Sequence, residues 1–551
     1  MTYEVWDVSS WAVLADNPGG ADDKDWLIPR EEVRSTSREQ WWLFKHVKHG
    51  ILKVKGGGQM RYRRADDKVE RIACELARLL GLPAATVELA KSGDVEGCLS
   101  KYVIPDGWSM YSGDSLLADF DGYVPCGSNR KMRDRPGHNL TNIAALQDGC
   151  GGPPGSACEQ WGAFEVFAGY LVFDAWIANT DRHAVNWAML EQERARRLAA
   201  SFDHGSALGS GSTPANTAAA LDDVASWCAN GMASRFENGS STTLVELAIN
   251  AVALAGGQAS LWLSRISALE PSQWQAILRA VPVSGLAYLY GQGAHGEPEE
   301  AVLMNATTTA VQARTATCRL LVTQRDPETL TYRPLGFLAD EAEQGYSFSY
   351  LRSTVQAPWF VALPGLSRTD GPSRSASLFP LFAERVISPR RPDRPQTMQA
   401  LGLPLEAGPF EVLRRSAGRR VEDQIELVPV PDVSADGWAE LDFLVHGVRY
   451  LTQEAQDRIS ALAVGERLNL RPEPRNIVNA RALLVTDSGE LPVGYVPDPL
   501  LEFVHEMTNV EASVLRANGP QVGFHMRLLV RLEGRLQSDP FARSEWVTVS
   551  E

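Results

Sequence analysis

The stretch NTDRHAVNW, Asn179 to Trp187, followed by SFDHG, Ser201 to Gly205, holds the residue types best suited to chemistry. Asp181 and Asn186 stand five apart on a turn after an apolar helix pattern, and Asp203 follows a short hydrophobic approach that places it on a strand. Phosphoryl transfer needs a carboxylate to orient or deprotonate the attacking hydroxyl, and hard oxygen ligands for Mg2+. Asp181 suits the first task. The Asn186 amide carbonyl and the Asp203 carboxylate suit the second. D-x-x-x-x-N followed by a strand-borne aspartate is general protein-kinase logic. His183 fits no zinc site, because no other His or Cys stands at ligand spacing. With Asn179 it shapes the loop.

Such chemistry also needs a lysine on the nucleotide phosphates, held by a helix glutamate. WWLFKHV, Trp41 to Val47, reads as a strand with Lys45 on the face of Trp41, Leu43 and Val47. A helix is expected over Asp66–Leu80. Val69, Ile72, Leu76 and Leu79 recur at helical spacing, Asp66 caps the start, and Gly81 followed by Leu82-Pro83 ends it. Glu70 lies on this helix. All nine lysines lie at or before Lys131, and every later basic residue other than histidine is arginine, so a lysine is a less ordinary choice here. Gly19, Gly20 and Lys24 are candidates for a phosphate-covering turn, without GxGxxG spacing. A second helix is expected over Phe164–Ala178, with Phe164, Phe167, Leu171, Ala175 and Ala178 on one face, running directly into Asn179.

These elements sit in a chain of 551 residues, enough for about three to four domains at ~150 residues each. A net charge of −15 excludes a general attraction to phosphate backbones or anionic membranes. Seven cysteines without CxxC spacing exclude a zinc ribbon and a disulfide framework and fit a reducing compartment. No basic leader precedes an apolar stretch, and the longest apolar run, near Ala248–Ala255, is far short of the ~20 residues of a membrane helix. The expectation is a cytoplasmic protein with no membrane partner. Breakers gather at Tyr290–Glu300, and VPVPDVSADG, 428–437, reads as a linker. Strands are expected near Ala316–Thr323, Tyr346–Tyr350, Phe443–Tyr450, Arg481–Val485 and Val493–Val496, with a helix near 452–463.

NTDRHxxNW followed by FDHGSALG resembles the HipA-like kinases, a bacterial branch of the protein-kinase-like fold. ERIACELARLLGLPAATVELA and GCLSKYVI resemble that family's helix and the strand leading to its hinge. The resemblance covers roughly residues 20–280. It implies a Ser/Thr protein kinase using ATP and Mg2+, with Lys45 and Glu70 as the nucleotide-positioning pair, Asp181 as base, and Asn186 and Asp203 on the metal. The partners it implies are a protein substrate (an aminoacyl-tRNA synthetase or a translation factor) and a restraining antitoxin, in a toxin or defence role. The family's serine-containing glycine loop is missing in clear form, which leaves Ser9, Ser10 and Ser35 as guesses for autophosphorylation.

GFLADEAEQGYSFSYL (336–351), SLFPLFAERV (377–386) and PFEVLRRSAGRRVED (409–423) resemble the small N-terminal subdomain of HipA, a regulatory piece here placed after the kinase. HGVRY (446–450), GERLNLRPEPRN (465–476), NARALLV (479–485) and VGYVP (493–497) resemble a HIRAN domain. Some HIRAN domains hold a single-stranded DNA 3′ end, and Arg449 and Tyr450 match part of that site. The loop between Asn476 and Asn479 is shorter than the family pattern and lacks its tyrosine and aspartate. Residues 441–500 carry six arginines against eight acids, so no basic funnel is visible and a docking barrel stands as the alternative.

The expected fold class is therefore multidomain α+β. A bilobal protein-kinase-like, HipA-like fold over 1–285 is followed by a small α/β subdomain over 300–430 and a small β-barrel-like HIRAN domain over 438–551. The alternatives to a protein kinase are a pseudokinase or DNA-end-binding scaffold, and a small-molecule kinase.

Overall fold

The computed structural model describes residues 2–16, 19, 23–35, 37–53, 59–126, 132–213, 227, 230–280, 318–326, 329–434, 437–536 and 540–549. The breaker-rich stretch at 290–300 and Gly20 lie outside them. The chain is mixed α/β with several sheets. The first has six strands, β1 (Val5–Asp7), β2 (Ala12–Asp16), β3 (Lys24–Ile28), β4 (Trp42–His46), β7 (Val87–Ser92) and β8 (Val95–Lys101), in the order β1-β7-β8-β4-β3-β2. A hairpin, β5 (His49–Lys53) and β6 (Gln59–Arg63), precedes helix α1 (Asp66–Leu80).

Twelve of the fifteen residues of α1 are buried, among them Asp66, Asp67, Glu70 and Arg71. Charges that deep must be paired. Arg63 holds Asp67, Arg64 holds Asp66, and Lys45 holds Glu70. Gly81 ends the helix at φ 71°, a left-handed turn that glycine adopts without strain. At the other end Ala65 occupies the cap position and its side chain makes no capping bond. Asp66 was expected there; it sits one residue inside, where its carboxylate still meets the positive end of the helix dipole.

The sheet is followed by β9 (Ser109–Ser112), α2 (Gly113–Leu117), α3 (Leu140–Gln147), α4 (Ala163–Trp176), β10 (Ala188–Gln192), β11 (Ala195–Leu198), α5 (Leu244–Ala255) and α6 (Ser260–Ser267), with strand order β11-β10-β9. α4 is apolar on nearly every face and packs on α5. The helix ends before Ala178, which has φ 51° and turns the chain toward Asn179.

Beyond residue 317, β12 (Cys318–Arg325), β13 (Tyr332–Asp340), β14 (Tyr346–Tyr350), β15 (Ser373–Ser375) and β16 (Ile425–Pro429) form a sheet in the order β15-β14-β13-β12-β16. The stretch 428–437 was expected as a linker. Instead its first residues finish β16, whose five residues are all buried, and Asp432–Val433 (β17) opens the next sheet. The prolines misled because Pro429 closes an edge strand, a place where proline costs no ladder bond.

The last sheet, β17, β18 (Trp438–Leu444), β19 (Arg467–Pro472), β20 (Leu483–Thr486), β21 (Pro492–Tyr495), β22 (Thr508–Ala517) and β23 (Leu528–Arg535), runs β17-β18-β23-β22-β19-β20-β21. His446, just past β18, bridges Tyr495 on β21, so the sheet curls back on itself. Gly494 permits this closure: at φ 147°, a Cβ there would stand 2.7 Å from Val445.

α4 carries the loop that matters below, and its packing is tight. A Cβ added at Gly169 would lie 2.4 Å from the ring of Trp262 on α6, which is fully buried and donates to the Glu165 carbonyl at 2.9 Å. Gly169→Ala should therefore lower stability by about 1–3 kcal/mol, despite alanine's better helix propensity. Denaturant unfolding checks this, and an unchanged midpoint would contradict it.

Candidate active site

β4 places Lys45 opposite Cys98 on β8 and Lys24 on β3. The Lys45 Nζ lies 2.7 Å from Glu70 Oε1 and 2.9 Å from Asp203 Oδ1. Glu70 stands on α1, and its second oxygen accepts the His204 backbone N–H at 3.0 Å. One carboxylate thus orients both the lysine and the 203–204 turn. Glu70 is 5% exposed through its side chain and Asp203 45%, so Glu70 is the inner partner and Asp203 opens to the cleft.

Burial works against charge on Asp203. The ammonium groups of Lys45, Lys48 and Lys24 outweigh it and hold the carboxyl well below its ordinary range. Burial likewise opposes charge on Lys45, and Asp203 and Glu70 overcome it, holding the ammonium well above its ordinary value. Asp203 was expected on a strand. It sits instead on left-handed backbone at φ 62°, a conformation that aspartate tolerates better than most residues, and only a single bridge from Ser201 to Ala84 precedes it.

The 179–187 loop is fixed from within. Arg182, 2% exposed, donates to both oxygens of Asp174 near the end of α4, at 2.7 and 2.8 Å. Its NH1 reaches the Asn186 carbonyl at 2.7 Å, and the nitrogen that donates to Asp174 Oδ1 also reaches Ser201 Oγ at 3.1 Å. Asn179 donates to Asp174 and accepts the Asp181 N–H. The Asn186 amide nitrogen donates to the Asp181 carbonyl at 2.9 Å, which leaves its Oδ1 as the atom for a cation. His183 accepts the Val185 N–H, a local loop contact.

Asp181 Oδ1 pairs with Arg235 Nε at 2.8 Å, and Ser206 Oγ lies 3.4 Å from Oδ2. Arg235 is anchored through its backbone: its carbonyl meets Nδ1 of buried His138 at 2.8 Å, and His138 Nε2 accepts from the Trp187 indole at 3.1 Å. Sequence reading missed Arg182, Asp174, Arg235 and His138. Only the DR pair inside NTDRH marked one of them.

Lys24, Lys45, Glu70, Asp181, Asn186, Asp203 and Gly19 line one cavity of about 450 Å³. Lys48 lines it too, and Lys101 borders it with its ammonium over the Trp42 ring at 5.8 Å. Lys24 opens β3. Ser9, Ser10 and Ser35 are not among the lining residues. Among the described residues no group of three or more His, Cys, Asp or Glu could hold a metal. The donor set nevertheless fits Mg2+, which takes one or two protein oxygens and completes its shell with phosphate and water. Asp203 is held ionised and half open, and Asn186 offers a carbonyl to the same cavity.

Arg449 and Tyr450 line a separate cavity of about 140 Å³ beside Trp41. The Arg449 guanidinium donates to the Val33 and Ser35 carbonyls and lies over the Trp41 ring at 5.6 Å. Two of its nitrogens are thus engaged by the first part of the chain, while Tyr450 is exposed. Cys74, Cys98, Cys126, Cys150 and Cys158 are free thiols, and among the described residues no helix is long and apolar enough to cross a membrane.

Burial pushes the His138 imidazole down from its ordinary 6.5 to about 4. Between those pH values the unfolded chain binds a proton here that the folded chain does not. The stability this site contributes is complete above pH 6.5 and falls by up to ~1.4 kcal/mol per pH unit toward pH 4. His138→Gln should show a shallower loss over that window in unfolding titrations, although it starts lower at pH 7.5. Equal slopes would contradict this.

No protein-family profile matches the chain, and no curated protein does. Among solved structures the chain is similar to the Helicobacter pylori proinflammatory kinase CtkA, at 16% identity over 52% of this chain and 92% of that one, with a TM-score of 0.34. It is similar to HipA of Shewanella oneidensis MR-1, solved with HipB and operator DNA, at 13% identity over 53% of this chain and 64% of that one, with a TM-score of 0.27. Its similarity to the HIRAN domain of human HLTF is 21% identity over 18% of this chain and 84% of that domain, with a TM-score of 0.14.

Proposed function

We propose that the cleft transfers the γ-phosphate of ATP to a hydroxyl of a protein substrate. The observation that carries this is the Lys45 ammonium shared between Glu70 and Asp203, with Asp181 and Asn186 on the same cavity wall. Lys24 and Lys45 face each other across β3 and β4, and Lys48 joins them. Like charges directly opposite destabilise a sheet unless counter-charge is supplied. Asp203 and Glu70 supply counter-charge here, and a polyphosphate would add to it.

In this reading Lys45 and Lys24 bind the phosphates, and Asn186 and Asp203 hold Mg2+. The metal, when bound, neutralises phosphate charge. Asp181 accepts the proton of the attacking hydroxyl at Oδ2 while Arg235 holds Oδ1 in place. The hydroxyl oxygen bonds to the γ-phosphorus, the bond from that phosphorus to the β,γ-bridging oxygen breaks, and ADP leaves. Burial of the Arg182–Asp174 fork keeps the carboxylate positioned without a cost at the moment of reaction.

The likeness of NTDRHxxNW and FDHGSALG to the HipA-like kinases favours a protein hydroxyl over a small molecule, and with it a toxin or defence role. We assign the transferase to 1–285, with 300–430 and 438–551 as the fused units. For the last unit the engagement of Arg449 with Val33 and Ser35 favours docking over capture of a DNA end.

Incubation of the full chain with labelled ATP, Mg2+ and host lysate, followed by mass spectrometry, should yield a phosphorylated protein. Asp181→Ala and Asp203→Ala should each cut that transfer at least ~10²-fold while the fold is kept. Near wild-type turnover in both variants would show the reading to be wrong.

A further inference from the structure

The first 280 residues do not build the cleft alone. Glu384, Arg420 and Glu422, from the region after residue 317, line the same cavity as Lys45 and Asp203. They form one network. Arg420 NH1 lies 2.9 Å from Glu384 Oε2, and its Nε lies 3.4 Å from Glu422 Oε2. The side chains are 12%, 7% and 6% exposed for Arg420, Glu384 and Glu422. The earlier part of the chain grips this network directly. Ser112 Oγ donates to Glu384 Oε1, the Met110 N–H donates to the Glu422 carbonyl at 2.8 Å, and Tyr102 Oη donates to the Val421 carbonyl at 2.7 Å. Two carboxylates against one guanidinium leave net negative charge and acceptor capacity beyond the pair.

Strand register says where along the cleft this network sits. β4 pairs Trp42 with Lys101 and Lys45 with Cys98, so three residues separate the two positions, roughly 10 Å at the strand rise. Tyr102 directly follows Lys101, at the end of the cleft away from Lys45. That end is apolar, with Ile104 and Ala188 on its lining. An apolar slot edged by two carboxylates and one guanidinium offers a polyphosphate less than the lysine end does. It suits a flat base and a sugar, whose hydroxyl or amino hydrogens a carboxylate accepts, as it does in dinucleotide sites.

We propose that the Glu384–Arg420–Glu422 network is the nucleoside-recognising wall of the cleft. The fused middle region then completes the nucleotide site instead of only restraining it. The proposal rests on the nucleotide reading above and adds the part of the ligand that each wall recognises: lysines the phosphates, the middle region the nucleoside.

Calorimetric titration of the full chain with Mg2+ separates the two. The probes are ATP and inorganic tripolyphosphate, and the wild type should bind both. Arg420→Met and the isosteric Glu422→Gln should each weaken ATP tenfold or more and leave tripolyphosphate within twofold. Lys45→Ala should weaken both ligands. Circular dichroism checks the fold, and Glu422→Gln carries the test if Arg420→Met does not fold. Unchanged ATP affinity overturns the proposal, and so does tighter ATP binding, which would mark the network as a plug. Equal loss of both ligands overturns it as well, because the network would then only hold the cleft in shape. A wild-type chain that binds neither probe defeats the nucleotide reading, and the proposal with it.

Discussion

The fork between Arg182 and Asp174 is the constraint on which the cleft depends. Both ions are almost wholly out of water, at 2% and 1% exposure. Removing two charges from water costs several kcal/mol each, of order, and only good geometry with further hydrogen bonds repays it. Here four bonds from the guanidinium offset it: two to Asp174, one to the Asn186 carbonyl and one to Ser201 Oγ. That single guanidinium ties the end of α4, the 179–186 loop and the approach to Asp203 into one rigid piece. Asp181, Asn186 and Asp203 take their positions from it.

A second charge arrangement joins this piece to the first sheet. Lys45 reaches Glu70 on α1 and Asp203 on the turn, and Glu70 in turn accepts from His204. The result is a wall of cations along the strand end and an open carboxylate facing them. The third contribution comes from far along the chain. Arg420 and its two glutamates stand at the apolar end, so three separate stretches of sequence meet in one cavity. The region beyond residue 317 therefore shares the cleft with the first part of the chain.

Much of this was legible in the sequence, for local reasons. Helix α1 was readable because its apolar residues recur at helical spacing and glycine ends it. The five polar residues Lys45, Glu70, Asp181, Asn186 and Asp203 were picked out by residue type and order, and the structure gathers them around one cavity. What escaped was nonlocal. Arg235 reaches Asp181 across 54 positions, and an isolated arginine reads as solvated surface. Asp174 lies in an apolar helix pattern, where one acid looks like an exposed face rather than half of a buried pair. Glu384, Arg420 and Glu422 sit in loops rich in arginine, with nothing nearby to show that they turn inward. Nonlocal too is the contact of Arg449, two of whose nitrogens meet backbone carbonyls of the first part of the chain. Asp203 was placed on a strand because a hydrophobic approach looks the same before a strand and before a tight turn.

The account stands or falls on whether this charge arrangement is built around a metal-bound polyphosphate. The direct measurement is the affinity of the full chain for ATP, with and without Mg2+, in the wild type and in Asp203→Asn. The account predicts that removing Mg2+ weakens ATP binding at least tenfold in the wild type, and that Asp203→Asn removes most of this dependence. ATP binding that is absent, or that is equally tight with and without the metal in both proteins, would contradict it.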